Sequence, residues 1–173
     1  WAAQHCQFTE PNTFITSGGL GTMGFEVPAA LGAQVGCPDT VVWSVCGDGG
    51  FQMTMCDIAT AVECKADVKF AILNNSSLGM VHQLQDIFFE KDYMASEYTA
   101  NPDFVKIAEA YGIRGIRVTE KDQVVDAVQQ AMETAGPVIV DFMVKEDEIV
   151  YPFIPSGQSV KEMLEEPAPE EIA

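Results

Sequence analysis

Four short apolar runs punctuate the chain: Val41 to Cys46 (VVWSVC), Val68 to Leu73 (VKFAIL), Ile113 to Val118, and Val138 to Val144. They are rich in β-branched residues and almost continuously apolar, the pattern of strands covered on both faces. Around them, apolar residues recur at three- and four-residue spacing over Thr22 to Val35, Phe51 to Lys65, Leu78 to Phe89, Asp103 to Tyr111 and Lys121 to Ala135, which predicts helices. Strands alternating with helices of this length imply βαβ crossovers, so the expected class is α/β, a parallel sheet flanked by helices. On the second predicted helix Met53, Met55, Ile58 and Val62 read as core or interface packing.

Composition narrows the picture. The 173 residues, 47% hydrophobic and 20% charged, suit one globular domain with a sizeable core. No 18-residue apolar run is present, which argues against a membrane partner. Nine Lys plus Arg against 26 Asp plus Glu give a net charge of −17, so a phosphate backbone would be repelled and nucleic acid is a poor partner. Five cysteines, odd in number and without a C-x-x-C pair, argue against a zinc or iron–sulfur site and read as buried, reduced thiols of a cytoplasmic protein. The opening Trp1-Ala2-Ala3-Gln4-His5 has no Met, charged n-region or apolar signal and reads as the middle of a longer chain. Composition shifts from Lys145 onward, with four prolines and eight acidic residues against two lysines. The expected division is therefore a cofactor-type domain over 1–150 and, over 151–173, an arm that packs through Tyr151, Phe153 and Ile154 before fraying into the tail EEPAPEEIA.

Two glycine-rich segments carry candidate chemistry. Ser17 to Gly24 opens a predicted helix and contains G-x-G-x-x-G at Gly19, Gly21 and Gly24. That is a dinucleotide fingerprint, with Asp48 roughly where a ribose-binding acid would sit, but only Phe14-Ile15-Thr16 is available as the strand a Rossmann unit requires. An NAD-type nucleotide-binding module stays open on this ground. The second segment, Gly47-Asp48-Gly49-Gly50, lies between a predicted buried strand and a helix, where glycines let backbone approach a ligand and helix N–H groups favour an anion. Asp48 would repel that anion unless a divalent cation bridges the two or the carboxylate merely caps the helix.

Asn74-Asn75-Ser76-Ser77 follows the next strand and puts Asn75 27 residues after Asp48. One strand–helix–strand unit separates the two, so both emerge at the carboxyl ends of neighbouring parallel strands, where open α/β sheets bind ligands. A carboxylate, an amide oxygen and a loop carbonyl make three hard oxygen donors. Magnesium takes about six, the remainder normally from phosphate and water, so the set suits a metal–diphosphate. A simple Asn turn is the alternative.

G-D-G followed by N-N at this spacing is the thiamin diphosphate signature. Together with FITSGGLGTMG (Phe14 to Gly24), PAALGAQV (Pro28 to Val35), LNNSSLGMVHQ (Leu73 to Gln83) and NPDFVKIAEAYG (Asn101 to Gly112), it makes the chain similar to the large catalytic subunits of the acetohydroxyacid (acetolactate) synthase family over essentially its whole length. The resemblance implies the C-terminal thiamin diphosphate-binding fold of a branched-chain amino acid biosynthetic enzyme, without the N-terminal pyrimidine domain and the central domain. It makes Asp48 and Asn75 side-chain magnesium ligands and Ser77 a backbone-carbonyl ligand. Gly49, Gly50, Leu78 and Gly79 would give the diphosphate backbone contacts, Gly21 would present a carbonyl to the aminopyrimidine, and Met23 would wedge between the cofactor's rings. Met80 would lie over the thiazolium, with Val81 and Leu84 in the substrate pocket. It further implies condensation of pyruvate with a second 2-oxoacid, FAD held mainly by the central domain, a homodimer or tetramer, a possible regulatory small subunit, and no catalytic residue on this chain alone, since the activating glutamate belongs to a partner's pyrimidine domain.

The chain departs from the family at two places. Leu84 stands where the family's G-M-V-x-Q-W has a Trp associated with second-substrate choice and herbicide binding, and Glu26 stands where small or apolar residues are usual. His82 reads as a surface or interface histidine, and Phe88, Phe89 and Tyr93 as a mobile segment over the site or a loop against other domains. A separate subunit of a split thiamin-dependent 2-oxoacid decarboxylase is the nearest alternative.

Overall fold

In a computed structural model, which describes residues 1–166, four parallel strands form one sheet: β1 (Val42–Gly47), β2 (Val68–Asn74), β3 (Arg114–Val118) and β4 (Val138–Met143), in the order β1-β2-β4-β3. The helices are α1 (Ala2–His5), α2 (Glu26–Gly36), α3 (Asp48–Thr54), α4 (Ile58–Glu63), α5 (Gly79–Phe88), α6 (Phe104–Ala110) and α7 (Val124–Glu133). Because side chains alternate along a strand, the sheet builds two cores. Phe70 and Ile72 of β2 and Ile139 of β4 pack with Val27, Phe51, Ile58 and Phe104 of α2, α3, α4 and α6. Val138 and Val140 of β4 face the other way, onto Ala127 and Ala131 of α7. The expected α/β class and its parallel sheet flanked by helices are what the chain adopts. Among the described residues no helix is long and apolar enough to cross a membrane.

Several boundaries differ from the pattern, each for a local reason. The helix expected from Thr22 starts at Glu26, because Gly21 and Gly24 take left-handed φ of 61° and 78° in the preceding turns. Pro28 then falls within the first helical turn, where an N–H lacks an intrahelical acceptor anyway. The helix expected over Phe51 to Lys65 breaks after Thr54, whose φ of −133° is not helical and whose Oγ1 donates to the Gly24 carbonyl at 2.8 Å. The break turns Met53 outward, half exposed, and leaves Val62 at the surface, while Ile58 is buried and Met55 packs on the core. Burial on both faces holds for the central β2 and β4; the edge strands β1 and β3 are only partly covered.

The expected burial of the cysteines fails for four of the five. Cys46 alone is buried, and Cys6, Cys37, Cys56 and Cys64 are exposed free thiols. Lys69 also breaks the apolar reading of β2: it is fully buried and donates to the Thr134 and Gly136 carbonyls at 2.6 and 2.8 Å beside Asp67, tying the start of β2 to the turn before β4. Tyr151 and Phe153 are half-buried, with Phe153 near the Phe88 ring, whereas Ile154 is exposed. Residues 167–173 of the acidic tail lie outside the described residues.

Phe104 is the pivot of the larger core, fully buried with its ring edge-on to Phe51 at 5.5 Å. Phe104→Ala is expected to lower unfolding stability by ~3–5 kcal/mol, the usual cost of emptying an aromatic core position. Urea unfolding followed by circular dichroism measures it; a loss under ~1 kcal/mol would show that the core collapses around the gap.

Candidate cofactor and metal site

Gly47 of β1 registers against Leu73 of β2, so the chain leaves the two strands side by side, as Asp48 and as Asn74-Asn75. Above this edge opens a cavity of about 670 Å³, within the range of small-molecule sites. Met23, Gly49, Gly50, Asn75 and Ser77 lie on its wall, as do Leu78, Gly79, Met80 and Val81 from the start of α5. Asp48 lies beneath, fully buried between wall residues Gly47 and Gly49. Gly21 and Leu84 are not on the wall: Gly21 is in an exposed turn, and Leu84 sits further along α5.

Asp48 is the first residue of α3, and no side-chain capping bond is formed there. Its Oδ2 accepts from Asn101 Nδ2 at 2.6 Å, while Oδ1 is buried without a partner. Burial pushes the carboxyl pKa up, against the Asn101 hydrogen bond and the nearby N–H groups of Asp48, Gly49 and Asn75. A buried carboxylate oxygen left unpaired is costly, and a divalent cation is one partner that would relieve it. Asn75 and Ser77 form an Asx turn in which Asn75 Nδ2 donates to Ser77 Oγ at 2.8 Å and Asn75 Oδ1 accepts the Ser77 N–H at 3.3 Å. The turn and the ligand readings are compatible, since an amide oxygen has a second lone pair. Among the described residues no three His, Cys, Asp or Glu side chains converge on a metal. The candidate donors at this edge, the Asp48 carboxylate, the Asn75 amide oxygen and the Ser77 carbonyl, are hard oxygens of the kind that magnesium or calcium takes.

Side chains crowd the two glycines. A Cβ on Gly49 would lie 2.6 Å from Leu78 Cδ2 and 2.7 Å from Tyr98 Oη, and one on Gly50 would collide with the Glu26 carboxylate. The Leu78 N–H already donates to the Ser96 carbonyl at 2.7 Å. A backbone contact from that N–H to a ligand would have to break this bond, and the part of Leu78 that reaches Gly49 is its side chain. Antiparallel contact of residues 76–78 with 96–98, including Tyr98 N–H to the Ser76 carbonyl at 2.8 Å, fixes the Asn turn from outside.

Several wall residues carry no local sequence signal. Val144, Lys145, Glu148 and Val150 come from the segment after β4, which Gln83 holds: its Oε1 accepts the Val150 N–H at 2.9 Å and its Nε2 donates to the Val150 carbonyl at 3.5 Å. Cys46 also lines the cavity, its thiol pKa pushed well up by burial and by the Glu26 carboxylate, which disfavours the thiolate. Glu26 stands on the wall against Gly50. His82 is not on the wall; it stacks on Tyr93 with ring centroids 4.2 Å apart and lies 3.5 Å from Glu97. Tyr93 in turn donates to Asp86 at 2.8 Å, which with the acidic surroundings pushes its phenol up to about 12.

This parallel sheet with its glycine-lined cavity and buried carboxylate belongs to a known class: the chain is a member of the thiamine pyrophosphate enzyme C-terminal TPP-binding domain family, whose model matches residues 1–142. Within that class it is 45% identical over 165 residues to the acetolactate synthase isozyme 2 large subunit of Escherichia coli (strain K12), covering 95% of this chain and 30% of that protein. It is 46% identical over 164 residues to the acetolactate synthase large subunit of Corynebacterium glutamicum, covering 92% of this chain and 26% of that one. To the mitochondrial acetolactate synthase catalytic subunit of Saccharomyces cerevisiae it is 42% identical over 164 residues, 95% of this chain and 24% of the relative. The chain thus spans less than a third of the length of these relatives. A similar solved structure is the thiamine diphosphate-dependent 4-hydroxybenzoylformate decarboxylase of Rhodococcus jostii RHA1, with TM-score 0.67, 30% identity, and 73% of this chain and 24% of that chain covered.

Gly49→Ala tests the cradle. Overpacking against Leu78 and Tyr98 is expected to cost ~1–3 kcal/mol and to abolish thiamin diphosphate binding, read by thermal unfolding and calorimetric titration. Unchanged binding would show that backbone approach at this position is dispensable.

Proposed function

We propose that the chain holds thiamin diphosphate through a magnesium ion and so serves a synthase that condenses pyruvate with a second 2-oxoacid to acetolactate or acetohydroxybutyrate, in branched-chain amino acid biosynthesis. One observation carries the reading: the fully buried Asp48 carboxylate, with Oδ1 unpartnered, directly under a cavity whose wall includes Asn75 and Ser77. Asp48, Asn75 Oδ1 and the Ser77 carbonyl would hold the metal, with diphosphate and water completing its shell. N–H groups of Gly49, Gly50 and Gly79 would meet the diphosphate, and Met23 would support the bend between the rings. Once bound, the cofactor supplies an electron sink that lets a 2-oxoacid lose carbon dioxide and attack a second carbonyl. The chain's own contribution is to bind, orient and keep water away, through apolar wall residues such as Val45, Met80, Val81 and Val150. Leu84 is proposed to influence the choice of second substrate.

FAD, a partner copy in a dimer or tetramer, and a regulatory small subunit would engage the longer enzyme, with the cytoplasm as its compartment. The identity to acetolactate synthases, 42–46%, favours this reading over a decarboxylase subunit at 30%. The nucleotide-module alternative loses its footing because no strand precedes Gly19.

Calorimetric titration separates the readings. Thiamin diphosphate is expected to bind only with magnesium present, and Asp48→Ala to abolish the heat; magnesium-independent binding of NAD would overturn the reading. In the same preparation the 173-residue chain alone is expected to form no acetolactate from pyruvate, and formation by the chain alone would show that the catalytic groups are all on it.

A further inference from the structure

Asp48 is held from behind by side chains outside the G-D-G and N-N segments. Asn101, in the loop before α6, donates its Nδ2 to Asp48 Oδ2 at 2.6 Å and to Asn74 Oδ1 at 2.9 Å. Its own Oδ1 accepts from Gln52 Nε2 at 3.1 Å, and Gln52 Nε2 also reaches the Asp48 carbonyl at 3.3 Å. The chain of bonds continues: Asn74 Nδ2 donates to Asp141 Oδ1 at 3.0 Å, and Arg117 donates from Nε to Asp141 Oδ2 at 3.2 Å and from Nη2 to Asp103 Oδ1 at 2.6 Å. Asp103 is the N-cap of α6, accepting from the N–H groups of Val105 and Lys106. Asn101 and Asp103 flank Pro102, so the network leaves this Asn-Pro-Asp turn at one end and returns to it at the other. Asp48, Asn74 and Asp141, its inner members, are all buried.

We propose that Asn101 is a positioning residue of this site: by engaging Oδ2 of Asp48 it fixes the carboxylate plane and leaves Oδ1 as the oxygen for a divalent cation, while the Asn74–Asp141–Arg117 chain holds the Asn101 turn in place. The inference rests on the magnesium reading of Asp48 given above. The choice of an amide is chemically apt. A lysine or arginine at position 101 would neutralise Asp48 and compete with the metal, whereas a neutral donor orients the carboxylate and leaves its charge. The guanidinium in the network, Arg117, is shared between Asp141 and Asp103 and not with Asp48. Removing an outer partner that orients a metal ligand typically costs about 10–100-fold in metal affinity.

The test is a Mn²⁺ titration of the 173-residue chain with thiamin diphosphate present, following the free ion by electron paramagnetic resonance, with near-ultraviolet circular dichroism as a check on folding. Asn101→Ala and Asn101→Leu are each expected to weaken Mn²⁺ binding about tenfold or more. The Leu variant keeps the approximate shape of the side chain but removes the donor without adding charge, so it separates orientation from packing should the Ala variant fail to fold. If the wild-type chain binds Mn²⁺ and folded variants bind it as tightly, the positioning role is wrong and the metal reading stands. If the wild-type chain binds no Mn²⁺ with the cofactor, the metal reading is wrong and this inference falls with it.

Discussion

Parallel pairing of β1 with β2 is the constraint on which the site depends. Val42 lies opposite Val68 and Gly47 opposite Leu73, so both strands end level and the chain leaves them as two adjacent polar segments. A slip of one residue would invert every side chain of β2 and carry Phe70 and Ile72 out of the core they share with Phe51 and Phe104. Burial of those side chains therefore fixes where Asp48 and Asn75 meet. Packing energy on one face of the sheet is converted into geometry at its edge.

The class and the two polar segments were legible because their signals are local. β-branched runs, helical spacing and the 27-residue interval from Asp48 to Asn75 all lie within one supersecondary unit. Exceptions arose where a distant partner overrides the local pattern. Thr54 breaks its helix because its hydroxyl reaches Gly24, and Lys69 is buried in a strand because two carbonyls 65 and 67 residues away accept its ammonium. Cysteine burial was misjudged for the opposite reason: the thiol's usual preference for the interior was applied to every cysteine, yet four of the five occupy exposed positions. Asn101 had no signature, since its contact with Asp48 spans 53 residues and an Asn before Pro reads only as a turn.

The charge of the chain acquires a meaning it lacked as a sum. With −17 overall, two of the cations that reach into the fold are already committed: Lys69 to the sheet, Arg117 to Asp103 and Asp141. Lys145 is the one Lys or Arg on the cavity wall among the described residues, and it pairs with Glu148 at 3.0 Å. The protein thus offers an anionic ligand glycine N–H groups and a helix start, but little positive charge, which is why the proposed metal is the hinge of the electrostatics.

The two sides of the cavity differ in stiffness. On one side the Gly24 backbone abuts α3 so closely that a Cβ there would lie 3.0 Å from Met53 Cβ and 3.1 Å from Thr54 Cγ2, and the Thr54 hydroxyl bonds the Gly24 carbonyl. The loop bearing Met23 and the helix bearing Asp48 therefore form one jaw, which cannot part without breaking packed contacts. On the other side the segment around Val150 is held by Gln83 through one good and one long hydrogen bond, by Gln4, whose Nε2 donates to the Tyr151 carbonyl at 3.3 Å, and by Phe88 against Phe153. The cavity thus has one wall locked by close packing of backbone on helix, and another tied by side-chain hydrogen bonds that span 67 and 147 residues of sequence.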